Sequence, residues 1–212
     1  MPTCNICNST DFRWCGQRNN PTAPPGASLA VHQDKPNVPP QCARCEGVER
    51  HRIIKKLYDE RHLDQSQNIL LTSQDPSILY LPTNCTEQSI FGGVNSFDLT
   101  EIPRNDSTYD LIMCVHILEH MKNDFLAFKE LCRVLKPYGT LLWSVPSPSI
   151  VRETEEYDMP ESHYGHVRLY GKDFIDTIKV WDESVGVTTE VIYKTDEVTD
   201  FEDVIFITKH VQ

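Results

Sequence analysis

The sequence predicts an α/β fold in which a mainly parallel sheet is covered by helices and preceded by a smaller, cysteine-bearing module. Three observations carry this reading. From residue 68 onward, strand-length apolar runs alternate with segments of helical period. The strongest run, Tyr109–His116, is followed by an amphipathic repeat and then by a second buried run, the order that builds β-α-β crossovers. Before that point the chain is rich in proline and carries two closely spaced cysteine pairs. The reading divides the chain into residues 1–66, a metal-binding module with a linking helix, and residues 67–212, the α/β domain.

Composition narrows the function classes. The 212 residues include 31 acidic and 20 basic side chains, a formal charge of −11, and 39% are hydrophobic. That hydrophobic share is enough for a packed core, and the acidity argues against a protein built to coat nucleic acid. The charge is uneven: residues 1–66 hold nine basic and seven acidic side chains, residues 67–150 five and nine, and residues 151–212 six and fifteen. A solvated acidic surface in the last third accounts for it. No apolar run approaches the ~20 residues of a membrane span. The start has no charged segment followed by an apolar stretch, so the expectation is a cytoplasmic protein.

Four of the eight cysteines form two knuckles, Cys4-x-x-Cys7 and Cys42-x-x-Cys45. A knuckle bends the chain so that two thiolates converge, and two knuckles complete the tetrahedral four-sulfur shell that Zn2+ prefers. The 34 residues between them contain Pro21, Pro24, Pro25, Pro36, Pro39 and Pro40 and read as a long loop. A structural zinc suits such a segment, whose ordering is offset by little apolar burial. Disulfides or a redox pair are the alternatives; the first is disfavoured in the cytosol, and the second needs a strand and helix that are absent here. Cys15 is a substitute ligand or a spare thiol. After the second knuckle, Ile53, Ile54, Leu57 and Tyr58 repeat at helical spacing and predict a short amphipathic helix. Its basic residues Arg50, Arg52, Lys55 and Lys56 either face nucleic acid or pair with acidic groups of the chain, and the acidity of the rest favours pairing.

In the larger domain, Asn68–Ser73, Ile78–Leu81, Val94–Asp98 and Tyr109–His116 read as strands. A helix over about residues 123–136 follows from Phe125, Phe128, Leu131, Cys132 and Leu135, with Lys136-Pro137-Tyr138-Gly139 as its stop. Thr140–Val145 is a buried strand; a helix at about 171–182 and strands at about 187–193 and 202–208 complete the sheet. Ligands of such sheets bind at the carboxyl ends of the strands.

Within this pattern, Leu118-Glu119-His120 at the end of one strand, and Arg133-Val134-Leu135-Lys136-Pro137 before the next, resemble the central signature of class I S-adenosylmethionine-dependent methyltransferases of type 11. Tyr138 stands where the family has the first glycine of the turn. Cys42-Ala43-Arg44-Cys45 with Glu49-Arg50-His51-Arg52, and Gly165-His166-Val167-Arg168-Leu169-Tyr170, resemble landmarks of a subgroup with an N-terminal zinc-binding module. The resemblance covers most of the chain. It implies a Rossmann-like class I methyltransferase sheet, S-adenosylmethionine as cofactor, and methylation of oxygen on a small molecule or on a sugar or glycan hydroxyl.

It also implies a site. Asp98, followed by Leu99, matches the acidic position that accepts from the adenine amine, with a turn aspartate as the plain alternative. Cys114 and His116, at a strand end, lie against the cofactor or belong to the core. Thr72-Ser73-Gln74-Asp75-Pro76-Ser77 lacks the glycines of the usual cofactor loop, so Ser73 and Asp75 are assigned to it by a subgroup pattern in which Asp75-Pro76 replaces Glu-Pro. Only 24 residues separate Ser73 from Asp98, which predicts a shortened first helix. Glu87 is a substitute for the usual ribose carboxylate, and Gly92-Gly93 makes a tight turn. A hydroxyl acceptor needs a base. His116, His120, His163 and His166 are available, with His166 assigned as base, Arg168 as acceptor or lid anchor and His120 beside them; a purely structural network of Glu119, His166 and Arg168 is the alternative. The insertion Pro146–Tyr170 reads as a lid. A different class of function also fits: a degenerate methyltransferase fold that binds a protein partner through its zinc module or its acidic tail.

Overall fold

A computed structural model describes residues 2–13, 41–73, 86–89, 95–146, 148, 151–160 and 165–211. These fall into two compact units, one with the residues up to Asp64 together with Tyr193–Asp203, the other with the remainder. Cys15, the proline-rich loop, Asp75, Ile78–Leu81, Gly92-Gly93, His163 and the shortened-helix segment lie outside the described residues.

In the first unit, β1 (Phe12–Arg13) pairs antiparallel with β2 (Gln41–Cys42), and α1 (Glu49–Glu60) follows. Helix α1 begins after Val48, whose N–H donates to His51 Nδ1 at 3.1 Å, and it buries Ile53, Ile54, Leu57 and Tyr58 as their spacing requires. Three of its basic residues, Arg52, Lys55 and Lys56, are engaged in ion pairs. Arg52 is only 2% exposed. Its Nε and Nη2 donate to the Asp196 carboxylate at 2.7 and 2.8 Å, its Nη1 donates to the Gly47 carbonyl at 3.0 Å, and its guanidinium lies over Phe12. Lys56 pairs with Glu197, and Lys55 with Asp59 one turn on.

The second unit is built on a six-stranded sheet in the order β4-β3-β5-β6-β10-β9. Its strands are β3 (Ile69–Leu71), β4 (Thr86–Gln88), β5 (Tyr109–Val115), β6 (Leu135–Ser144), β9 (Val187–Thr195) and β10 (Glu202–His210). β3 is parallel to β4 and β5, and β5 is parallel to β6; β10 runs antiparallel to β6 through Phe206↔Trp143. Between the large strands, α2 (Asp124–Val134) and α3 (Phe174–Val185) pack their apolar faces on the sheet, and β7 (Glu155–Glu156) pairs with β8 (Arg168–Leu169). The core centres on Trp143, which stacks on Phe206 at 4.4 Å between ring centres and donates its indole N–H to Thr208 Oγ1 at 2.9 Å. Phe128, Phe174 and Trp181 close round it.

Three expectations change. Residues 95–98 form no strand: Asp98 Oδ1 accepts from the Thr100 N–H at 2.8 Å and from its hydroxyl at 2.7 Å, a side-chain turn that bends the chain. The strand beside β3 is instead Thr86–Gln88, too short and polar to read from periodicity. Helix α2 ends at Val134 and β6 starts at once, with Leu135 paired to Tyr109 and a register shift absorbing Lys136 to Gly139. Tyr138 is 85% exposed there, which explains how a bulky residue fills a glycine position.

The buried pair in the first unit gives a stability prediction. Arg52→Ala should lower the unfolding free energy of the whole chain by about 3–5 kcal/mol, because it strands the Asp196 carboxylate in the interior. The double change Arg52→Met with Asp196→Leu should lose much less. Urea denaturation of the three proteins checks this, and a loss of under about 1 kcal/mol for Arg52→Ala would show that the pair is solvated.

Candidate functional site

Two groups of side chains stand out. The first is the cysteine cluster. Both knuckles have one construction: Asn8 N–H returns to the Cys4 carbonyl at 2.8 Å and Glu46 N–H to the Cys42 carbonyl at 3.0 Å. Cys4 N–H donates to Ser9 O and Cys42 N–H to Gly47 O, each at 2.9 Å. Asn8 and Glu46 both take left-handed backbone angles, φ 60° and 64°. A Cβ at Gly47 would lie 2.8 Å from Ile6 Cδ1, so the tip of the Ile6 side chain would have to move to admit a larger residue there.

The result brings Cys4, Cys7, Cys42 and Cys45 together, with Sγ atoms all within 4.8 Å. Cys4 to Cys45 is 3.7 Å and Cys7 to Cys42 is 3.5 Å. Those are far longer than a disulfide of about 2.05 Å. They are close to the edge of about 3.8 Å that a tetrahedral shell has when each Zn–S bond is about 2.3 Å. Burial opposes ionisation of Cys42, yet the backbone N–H groups of Cys45 and Arg44 and the neighbouring thiols bring it down to about 7. Desolvation pushes Cys7 and Cys45 up.

The second group sits at the carboxyl edge of the parallel strands in the second unit. The register that sets Leu71 beside Met113, and Val115 beside Ser144, brings the residues after β3, β5 and β6 to one edge. Thr72 and Ser73 leave β3, His116 leaves β5, and Ser144 and Val145 end β6. The Oγ atoms of Ser73 and Ser144 are buried and have no hydrogen-bond partner among the described residues. Buried hydroxyls in that state suit a polar ligand in the crevice. His116 holds φ 52°, its N–H bonded to the Ser144 carbonyl at 2.9 Å, so β5 ends in a sharp left-handed bend.

That bend leads into a short 3-10 turn, Leu118–His120, which lowers Glu119 into the interior, fully buried. His116 Nδ1 lies 3.6 Å and His166 Nε2 4.0 Å from Glu119 Oε1. His120 and His166 meet edge to face at 4.8 Å, and Val167 N–H donates to the Glu119 carbonyl at 2.8 Å. His120 Nδ1 is 3.0 Å from the carbonyl of Gly165, a residue at φ 81°. The fold therefore assembles His116, Glu119, His120 and His166 from two separated segments. Sequence reasoning found all four but placed His116 with the cofactor and Glu119 in a supporting network; the spacing His-x-x-Glu-His directly after a strand was the signal that joins them.

Arg168 stands differently. It is 8% exposed and bonded to Glu156 at 2.7 Å, to Asp124 at 2.9 Å and to the carbonyls of Met121 and Lys122. It ties β7 and β8 to the start of α2, where Tyr170 also donates to Asp124 at 2.8 Å. Leu99 and Cys114 are core residues, and burial pushes the Cys114 thiol up to about 12. Asp98 is exposed, and the two Thr100 hydrogen bonds hold its carboxyl below the usual range. Glu87 does not end its strand: its carboxylate is taken by Arg104 and by the Tyr109 hydroxyl at 2.5 Å.

Comparison with known proteins agrees with this architecture. A family model described as a methyltransferase domain matches residues 61–143. An uncharacterised protein of Methanocaldococcus jannaschii is 32% identical over 84 residues, 39% of this chain, and the match spans 36% of that curated relative's length. Among solved structures, a 1,6-didemethyltoxoflavin-N1-methyltransferase of Burkholderia thailandensis with bound S-adenosylhomocysteine aligns at a TM-score of 0.52, with 9% identity over 76% of this chain and 78% of that one. A SAM-dependent methyltransferase of Archaeoglobus fulgidus aligns at 0.50, with 13% identity over 74% and 93%. The cyclase SpnF also aligns at 0.50, with 13% identity over 76% and 82%. At these identities the structures show the fold alone, while the family match adds the strand-end and helix segments quoted above. The match to the methyltransferase-domain model runs from just after α1 into β6, the central part of the chain, where the sheet has the kind of fold seen in these methyltransferase structures.

Proposed function

We propose that the chain methylates oxygen, on a small molecule or a sugar or glycan hydroxyl, with S-adenosylmethionine as donor. The observation that carries the choice of oxygen is the gathering of three imidazoles round the buried Glu119 carboxylate at the edge where the acceptor would lie. A hydroxyl is a weak nucleophile until its proton is drawn off, and an imidazole near neutrality is suited to take it. S-adenosylmethionine, when bound, supplies a methyl carbon on a sulfonium, whose transfer leaves a neutral thioether, an ether and one proton.

Ser73 and Asp98 would hold that cofactor, Asp98 accepting from the adenine amine through Oδ2 while Oδ1 stays with Thr100. Asp75 joins them in the reading from the resemblance. Leu99 and Cys114 contribute shape, and the His116 bend sets the strand end against the crevice. His166 and His120 serve the acceptor with Glu119. Arg168 acts as anchor of the segment that carries His166, through Glu156 and Asp124 rather than by touching the acceptor. In the other unit, Cys4, Cys7, Cys42 and Cys45 would hold one structural Zn2+. Thiolate ligands need a reducing compartment, which supports a cytoplasmic setting.

Three outcomes test this. Calorimetry should register S-adenosylhomocysteine binding, and Asp98→Ala should weaken it; absence of heat at millimolar ligand with folded protein would end the cofactor reading. His166→Ala should reduce methyl transfer to a hydroxyl acceptor by about 10²–10⁴-fold while leaving S-adenosylhomocysteine affinity unchanged. Protein purified without chelator should carry zinc that Cys42→Ser with Cys45→Ser loses; zinc retained by that variant would refute the ligand set.

A further inference from the structure

We propose that Glu119, His120 and His166 form a site for a divalent transition-metal cation of the zinc class, separate from the four-cysteine cluster. Their ligand atoms lie within 4.8 Å of one another, and Glu119 is fully buried at their centre. The 4.0 Å between Glu119 Oε1 and His166 Nε2 is too long for a hydrogen bond. It is near the edge of about 3.4 Å that ligands share round an ion with bonds of about 2.1 Å, so a small closure would complete the shell.

A second observation concerns the orientation of His120. A carbonyl can only accept, so the 3.0 Å contact with Gly165 O puts a proton on Nδ1, and in the neutral imidazole Nε2 then carries the lone pair. An outer N–H held by a backbone carbonyl is how metal-binding imidazoles are fixed. Gly165 supplies it from a left-handed conformation, φ 81°, immediately before His166, so one bend serves both imidazoles. Two imidazoles and one carboxylate are the donor set of catalytic zinc sites that keep a fourth position open.

What the ion would do rests on the oxygen-methylation reading: the acceptor hydroxyl takes the open position and loses its proton more easily. With His166 serving as ligand, His116, whose Nδ1 is 3.6 Å from Glu119, receives that proton and passes it to water. The methyl carbon gains its bond to this oxygen as its bond to sulfur breaks, so charge and atoms balance.

The full chain, carrying whatever metal its cysteines retain, is titrated with ZnCl2 by calorimetry, and metal per chain is measured by plasma mass spectrometry. One further equivalent is expected. Glu119→Gln, and separately His120→Ala, should each weaken it by more than about 100-fold, the upper end for losing an outer-shell partner. Circular dichroism identifies any variant that has not folded. CoCl2 added in place of zinc should give visible d–d bands with no thiolate charge-transfer band, a readout on the unaltered chain. No further equivalent, one that survives both substitutions, or a cobalt spectrum with thiolate charge transfer would overturn the site. Methyl transfer at full rate without the second equivalent would overturn the ion's proposed task and leave the methyltransferase reading intact. A second equivalent bound by these residues in a chain that binds no S-adenosylhomocysteine would support the site and remove its proposed task.

Discussion

The parallel pairing of β5 with β3 on one side and β6 on the other is the constraint from which the second unit follows. Parallel strands require crossovers, and crossovers return every strand in the same direction, so whatever follows each strand is delivered to one edge. Ile69–Leu71 and Leu111–Val115 are buried on both faces and hold that register through side-chain packing. Chemistry then needs only the right residues in the first positions after each strand. Ser73 and His116 follow β3 and β5, Ser144 ends β6, and Glu119 and His120 come one short turn after His116.

The part of this that could be read in the sequence is the part governed by periodicity. Tyr109–Val115 and the α2 repeat of Phe128, Leu131 and Cys132 are visible because burial dictates their side chains at fixed intervals. Thr86–Gln88 was not visible: with three polar residues it is a strand because β3 offers it hydrogen bonds, and pairing with a distant segment leaves no local mark. Asp98 failed in the opposite sense. Val94 and Phe97 suggested a strand, but a side-chain turn to Thr100 competes directly with extended backbone and prevails.

The site divides along the same line. The two cysteine pairs were legible because a knuckle is local, its geometry contained in six residues and repeated in the second copy. Cys15 and Asp75 fall outside the described residues. The imidazole cluster was legible only in pieces, since joining His166 to Glu119 depends on a segment 47 positions away folding back to donate the Val167 N–H to the Glu119 carbonyl. Arg168 shows why residue type alone misleads: an arginine beside a proposed acceptor site suggests substrate binding, yet the carboxylates of Glu156 and Asp124 and the carbonyls of Met121 and Lys122 just before α2 occupy its donors.

That arrangement gives Arg168 a definite influence on chemistry. His166 has no regular secondary structure of its own; its place is set by Val167 N–H bonded to Glu119 and, two residues on, by the Arg168 clamp on Asp124 and Glu156. The clamp holds the backbone, and the backbone aims the imidazole. The same segment carries the Val167 N–H bonded to Glu119, so a shift of the Arg168 segment bears on the 4.0 Å distance from His166 Nε2 to Glu119 Oε1. The carboxylate is fully buried, so water cannot compensate there for a neighbour that moves away.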